Sequence, residues 1–162
     1  MMLQIKDVVP GDLEQVLNLN ESEVPRLGQI GMEQLRWFAE HADYFRIARL
    51  GKRLCGFLIA LRPGSSYASP NYRWFCEHYQ NFAYIDRIAV ASFARRRGVG
   101  TQLYDELAGN LPDTIGALAC EVNLLPPNPK SMQFHSMLGF RQVGTLESEH
   151  GAKQVALLVK EL

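Results

Sequence analysis

Leu3, Ile5 and Asp7 alternate with Gln4, Lys6 and Val8, a strand-like opening that Pro10-Gly11-Asp12 interrupts. Asp12 followed three residues later by Gln15 has the form of a capping box, so a helix is expected there, with Leu13, Val16 and Leu17 inside. After Gly31, Met32, Leu35, Ala39 and Ala42 recur at helical spacing while Glu33, Arg36 and Glu40 are polar, which predicts a second helix. Residues 44–50 and 54–61 read as two strands of a hairpin around Gly51-Lys52-Arg53. Residues 63–81 show no clear period but carry Tyr67, Tyr72, Trp74, Phe75 and Tyr79. They predict a long aromatic-rich loop with at most a helical turn near Trp74, placed to wall an acceptor pocket.

The pattern then becomes more regular. Residues 82–90 are aromatic and β-branched, as in a strand. Val99, Leu103, Leu107 and Leu111 mark one helical face, and residues 115–123 return to strand. Strand, helix and strand with short joins form a βαβ unit, whose strands are expected to be parallel with a right-handed crossover. Pro126-Pro127 breaks the chain before Asn128, an N-cap candidate with Pro129 at the first helical position, and Gly139 closes that helix. Residues 140–145 and 154–159 read as a closing pair of strands. Nothing between them repeats or looks like a linker, so residues 1–162 are read as one domain.

Composition narrows the function classes. Seventeen basic and seventeen acidic side chains cancel, which gives no reason to expect a nucleic-acid partner. No run reaches the roughly 18 apolar residues that span a bilayer, and the N-terminus has no leader-like apolar core. A cytoplasmic protein without a membrane partner is expected. Cys55, Cys76 and Cys120 are far apart, with no Cys/His cluster at metal-ligand spacing, and read as buried or partly buried free thiols.

Between the first strand of the βαβ unit and its helix stands Arg95-Arg96-Arg97-Gly98-Val99-Gly100-Thr101. Two glycines let the backbone approach a bulky anion, N–H groups of the helix start point towards it, and three arginines add charge, which suits a diphosphate. The plainer alternative is a solvated basic helix start whose glycines serve packing. The spacing is neither that of a P-loop nor the dinucleotide pattern, since Leu103 stands where a third glycine would be.

The segment Arg95-x-x-Gly98-x-Gly100, after a strand ending Ile88-Ala89-Val90, resembles the [Q/R]xxGx[G/A] acyl-CoA motif of the GNAT acetyltransferases. The later Asn128-x-x-Ser131-x-x-Phe134-His135-x-x-Leu138-Gly139-Phe140 is similar to that family's last helix. Together they cover about residues 82–140 in the family's order. The resemblance implies an α+β GNAT fold: a central, mostly antiparallel twisted sheet with helices on both faces and one parallel βαβ unit splayed to hold acyl-CoA. It implies transfer of an acetyl group from acetyl-CoA, a co-substrate, to a primary amine of a small molecule or peptide, without a metal. It also implies that the backbone of Arg95, Arg96, Arg97, Gly98, Val99, Gly100 and Thr101 binds the pyrophosphate. The end of the preceding strand, Ile88, Ala89 and Val90, would then pair with the pantetheine amides, and Asn128 would contact the pantetheine arm unless it is only a helix cap.

Two residues are candidates for proton transfer. His135 stands where many members carry a tyrosine thought to protonate the departing thiolate; a packed, structural histidine is the alternative. Glu121 lies in Leu118-Ala119-Cys120-Glu121-Val122-Asn123, on the face opposite Cys120 and Val122. Its position is similar to that of the glutamate base of the N-terminal acetyltransferases of ribosomal proteins, and an ion pair with Arg87 or another basic residue is the alternative. Burial in that apolar strand is expected to raise its pKa. A silent acyl-CoA-binding regulatory or interaction domain would keep the arginine–glycine turn without needing Glu121 and His135. A homodimer is the base-rate assembly.

Overall fold

Runs rich in apolar residues set most strands of this protein, and Gly51 and Pro126 directly follow two of them, the second and the fifth in chain order. A computed structural model describes residues 2–162. Seven strands and five helices follow in the order β1 (Leu3–Asp7), α1 (Leu13–Glu23), α2 (Met32–His41), β2 (Tyr44–Leu50), β3 (Arg53–Leu61), α3 (Pro70–His78), β4 (Phe82–Val90), α4 (Val99–Asn110), β5 (Ala117–Leu125), α5 (Pro129–Met137), β6 (Arg141–Ser148) and β7 (Lys153–Glu161). The strands are hydrogen-bonded in the order β1-β2-β3-β4-β5-β7-β6. The fold is therefore mixed α+β, with a mostly antiparallel sheet and one parallel pair, β4 with β5.

The chain divides into two units, and β4 contributes to both. The first runs to Leu61 and resumes over Arg87–Leu111. In it β1, β2 and β3 form an antiparallel meander, and Gly51 turns the β2–β3 hairpin with φ +61°. Val16, Leu35, Phe38, Ile47, Phe57, Leu103 and Leu107 are all buried. A polar fastening ties α4 to β2: Tyr44 and Arg46 each donate to the Glu106 carboxylate at 2.9 Å. Gly56 is required in β3, because a Cβ there would meet the Ala89 carbonyl oxygen at 2.9 Å and Val99 Cγ1 at 3.3 Å. The Ala91 N–H donates to the Cys55 carbonyl at 2.8 Å, so the end of β4 is held against β3.

The second unit comprises Arg62–Asp86 and Pro112–Leu162. Phe82, Ala83 and Tyr84 pair in parallel with Ala117, Leu118 and Ala119. Strand β7 lies antiparallel to β5 and carries β6 on its other side. Trp74 of α3 packs on Gly144 of β6, where a Cβ would meet Trp74 Cζ2 at 3.2 Å.

Several expectations need correction. Residues 63–81 are not a long loop: nine of them form α3, capped by Ser69, whose hydroxyl accepts from the Tyr72 N–H, with Pro70 in the first turn. Tyr72 and Phe75 are its buried residues. At α1 the Asp12–Gln15 capping box does not form, because Asp12 instead accepts from the Val9 N–H and from Arg49. Leu17 is only half-buried and Leu19 takes the inner position, while in α2 Phe38 is buried and Ala39 exposed. Strand β5 starts at Ala117 rather than at residue 115, since the Ile115 N–H closes a turn onto the Pro112 carbonyl. Cys55 and Cys120 are buried but Cys76 is exposed.

Candidate active site

The arginine–glycine segment forms the entry to α4 in the first unit. A 3-10 turn over Ser92–Ala94 precedes it, and the backbone then takes left-handed φ at Arg96 (+64°) and Gly98 (+75°). Gly98 is the N-cap of a twelve-residue helix whose first turn has no acidic residue and no side-chain cap. The Gln102 N–H is the one that closes on the Gly98 carbonyl, so Val99, Gly100 and Thr101 carry N–H groups that the helix geometry leaves without an intrahelical acceptor. Arg96, Arg97 and Gly98 are exposed, while Val99 and Gly100 are buried. An N-terminal dipole, unclaimed amides and two exposed guanidinium groups together fit a phosphate group. Arg95 differs from its neighbours: its guanidinium grips both oxygens of Glu23 at 2.7 and 2.6 Å. Arg87 likewise donates to the Asn20 side chain at 2.8 Å and to the Gly28 carbonyl at 2.9 Å.

The second unit holds the titratable cluster. Glu121 emerges from β5 two residues beyond the last pair of the parallel ladder, Tyr84 with Ala119, and alternation puts its side chain on the Tyr84 side. The Tyr84 hydroxyl reaches both carboxylate oxygens, at 2.8 and 2.7 Å. Burial of the carboxylate pushes the Glu121 pKa up to about 7; the like charge of Asp86 adds to the rise, and hydrogen bonds from Tyr84 and Asn71 and the charge of Lys153 oppose it. Tyr84 is buried, and its phenol is pushed well above the ordinary range by desolvation first and by the Glu121 and Asp86 charges next. Asp86 accepts from the Tyr67 hydroxyl at 2.5 Å.

His135 is buried, with 3% of its surface exposed. Its Nδ1 lies 2.8 Å from the Ser131 carbonyl oxygen and 3.3 Å from the Ser131 hydroxyl, and Phe134 and Phe140 meet the ring edge-to-face. A carbonyl only accepts, so Nδ1 carries the hydrogen. Desolvation lowers the pKa of the imidazole, against a smaller raising effect of the Ser131 bond. Asn128 caps α5, accepting from the Ser131 N–H at 3.4 Å. Among the described residues no group of His, Cys, Asp and Glu is placed to hold a metal ion.

Residues 13–140 match the family model described as the Acetyltransferase (GNAT) family. The chain belongs to that family. It is by class a transferase, an acyl-CoA-dependent N-acyltransferase, and such enzymes generally take acetyl-CoA as co-substrate. Among solved structures, Ard1 from Thermoplasma volcanium is 16% identical with a TM-score of 0.81, covering 100% of this chain and 99% of that one. Arabidopsis thaliana NAA60 in complex with a bisubstrate analogue is 17% identical with a TM-score of 0.77, covering 99% and 98%. The ribosomal-protein-S18-alanine N-acetyltransferase from Escherichia coli is 15% identical with a TM-score of 0.69, covering 99% and 94%. These similarities concern the fold. No curated protein matches the chain.

Tyr84, Asp86 and Asn71 were not singled out by the sequence of this acyltransferase, and Tyr67 was expected in a pocket wall rather than on Asp86. Tyr84 and Asp86 carried a signal, since they alternate on one face of β4 and only Asp86 and Arg87 are charged in that strand. That face meets Glu121 only once the β4–β5 register is known.

Proposed function

We propose that this acyltransferase moves an acetyl group from acetyl-CoA directly onto a primary amine of a small molecule or peptide, with Glu121 as the base, acting as one domain over residues 1–162 in the cytoplasm. The observation that carries it is the Glu121 carboxylate, held by Tyr84 and shifted to about 7. A base works best when its pKa lies near the working pH, and an ammonium acceptor must lose a proton before it can attack. Acetyl-CoA supplies an activated thioester carbonyl. In the first unit, the amides of Val99, Gly100 and Thr101 with Arg96 and Arg97 are the proposed pyrophosphate ligands. The backbone of Ile88, Ala89 and Val90 is the proposed partner of the pantetheine amides. Arg95 contributes backbone, its side chain being engaged by Glu23. In the second unit Asn128 is proposed to touch the pantetheine arm through the part of its amide that the cap does not use.

Glu121 takes the proton from the acceptor nitrogen, directly or through a water. His135 remains the candidate acid for the leaving sulfur, in its imidazolium form, because a neutral ring with Nδ1–H bound to Ser131 has only an accepting Nε2. Burial disfavours that form. A thiolate with a pKa near 8.5 leaves without help, so His135→Phe is expected to lower kcat only modestly. Structural neighbours named as N-acetyltransferases, and one solved with a bisubstrate analogue, support a nitrogen acceptor and direct transfer.

The test is a pH–rate profile. A base must be ionised, so kcat/KM falls as pH drops below about 7 in the wild type. Glu121→Gln is expected to lower kcat by about a hundredfold and to erase that acidic limb, with CoA affinity nearly unchanged. A variant that keeps the wild-type rate and profile would exclude Glu121 as base.

A further inference from the structure

Glu121 is a carboxylate between two influences carried by the same strand. On β4, Tyr84 and Asp86 are two residues apart and share a face. Tyr84 donates its hydroxyl to both Glu121 oxygens at 2.8 and 2.7 Å. The tyrosine has little freedom to turn away: it is 0% exposed, and its ring is edge-packed on Tyr72 at 5.5 Å and tilted on Phe75 at 5.9 Å. Asp86 brings a negative charge to the same surroundings and is bound by Tyr67, whose ring in turn lies 5.7 Å from that of Tyr72. Asn71 of α3 also donates to Glu121, and the charge of Lys153 of β7 favours the carboxylate. Its cross-strand partner on β7 is the apolar Leu157.

We infer that Tyr84 and Asp86 are positioning residues that set the basicity of Glu121 in opposite senses, Tyr84 by hydrogen-bonding the carboxylate and Asp86 by placing a like charge near it. The inference rests on Glu121 being the base. A bond that favours the ionised form lowers basicity and keeps the base charged near neutrality; a neighbouring anion raises basicity and draws the proton from the acceptor. When Glu121 receives that proton, its new O–H can donate to the Tyr84 oxygen, so the pair stays joined through the transfer. The buried aromatic contacts of Tyr84 fix the direction of the phenol before any substrate arrives.

The opposed signs make the test sharp. Tyr84→Phe keeps the ring and its packing but removes the donor, and Asp86→Asn keeps the size but removes the charge. In the full chain with 13C-labelled glutamate carboxyls, the Glu121 signal, assigned by its loss in Glu121→Gln, is titrated by NMR. Tyr84→Phe is expected to move its midpoint up by about one pH unit, the size of a hydrogen bond to a charged group, and Asp86→Asn to move it down by about as much through loss of the like charge. The acidic limb of kcat/KM is expected to follow. For Tyr84→Phe this means a rate about tenfold lower at pH 6 that recovers by pH 9. Shifts in the same direction, no shift in either variant, or a loss of rate equal at every pH would overturn the inference. If the NMR midpoints move apart while the rate profiles do not, the coupling stands and Glu121 is not the base.

Discussion

Tyr72 donates its hydroxyl to the Arg62 carbonyl at 2.6 Å, accepts from the Ser65 N–H at 3.2 Å, and is buried. A side chain so placed supports the second unit from within, contrary to its expected place in a pocket wall. Tyr72→Ala is expected to cost about 3–5 kcal/mol in stability, as for other large aromatic truncations, read as a lower midpoint in urea unfolding. Acceptor KM in the fraction that remains folded is expected to stay near the wild-type value. A selective rise in acceptor KM with unchanged stability would restore the wall. Glu121 could be singled out in the sequence because its position resembles that of a family glutamate and it is an acid in an apolar strand, whereas Tyr84 looked like any core aromatic. Its role depends on the register Tyr84 with Ala119, a long-range pairing that local pattern does not encode.

Helix α3 shows why elements differ in legibility. Its Ser69-Pro70 start is an N-cap and a first-turn proline, and Tyr72, Phe75 and Tyr79 do recur at helical spacing. Aromatics on both sides of that stripe, Trp74 half-buried among them, masked the period. Helix α4 had no such interference: its leucines stand four apart and the glycines mark its start. The same start carries an element-scale prediction. In Gly100→Asp a carboxylate enters the buried first turn of α4, where it crowds the backbone and repels a phosphate. CoA affinity by titration calorimetry is expected to fall by at least about a hundredfold, about 2.7 kcal/mol, in a variant whose circular dichroism shows it folded. Arg95→Ala is expected to weaken CoA much less, because that guanidinium is spent on Glu23. Undiminished affinity in folded Gly100→Asp would remove the turn from the cofactor site.

At the scale of the molecule, the matched region runs over residues 13–140, through both units, and the solved neighbours cover nearly the whole chain. The sequence made the βαβ unit plain, since two apolar runs flank one amphipathic helix. It left the order of the closing strands open. Strand β7 inserts between β5 and β6, and the trace of this lies in burial: residues 155–159 are continuously buried in β7, while β6 is mostly half-buried or exposed. A fully apolar run marks an inner strand and a mixed one an edge, but a five-residue run alone does not name its neighbours. Among the described residues no helix is long and apolar enough to cross a membrane. The acceptor's identity is carried by no motif, only by side chains that the fold brings together. The most direct measurement is incubation of the full chain with acetyl-CoA and a panel of primary amines, peptides with free N-termini included, following thiol release and product mass together. The expected result is one acetylated nitrogen for each CoA thiol released, at a rate that falls below pH 7; thiol release without an acetylated amine, or CoA binding without thiol release for any amine, would contradict it.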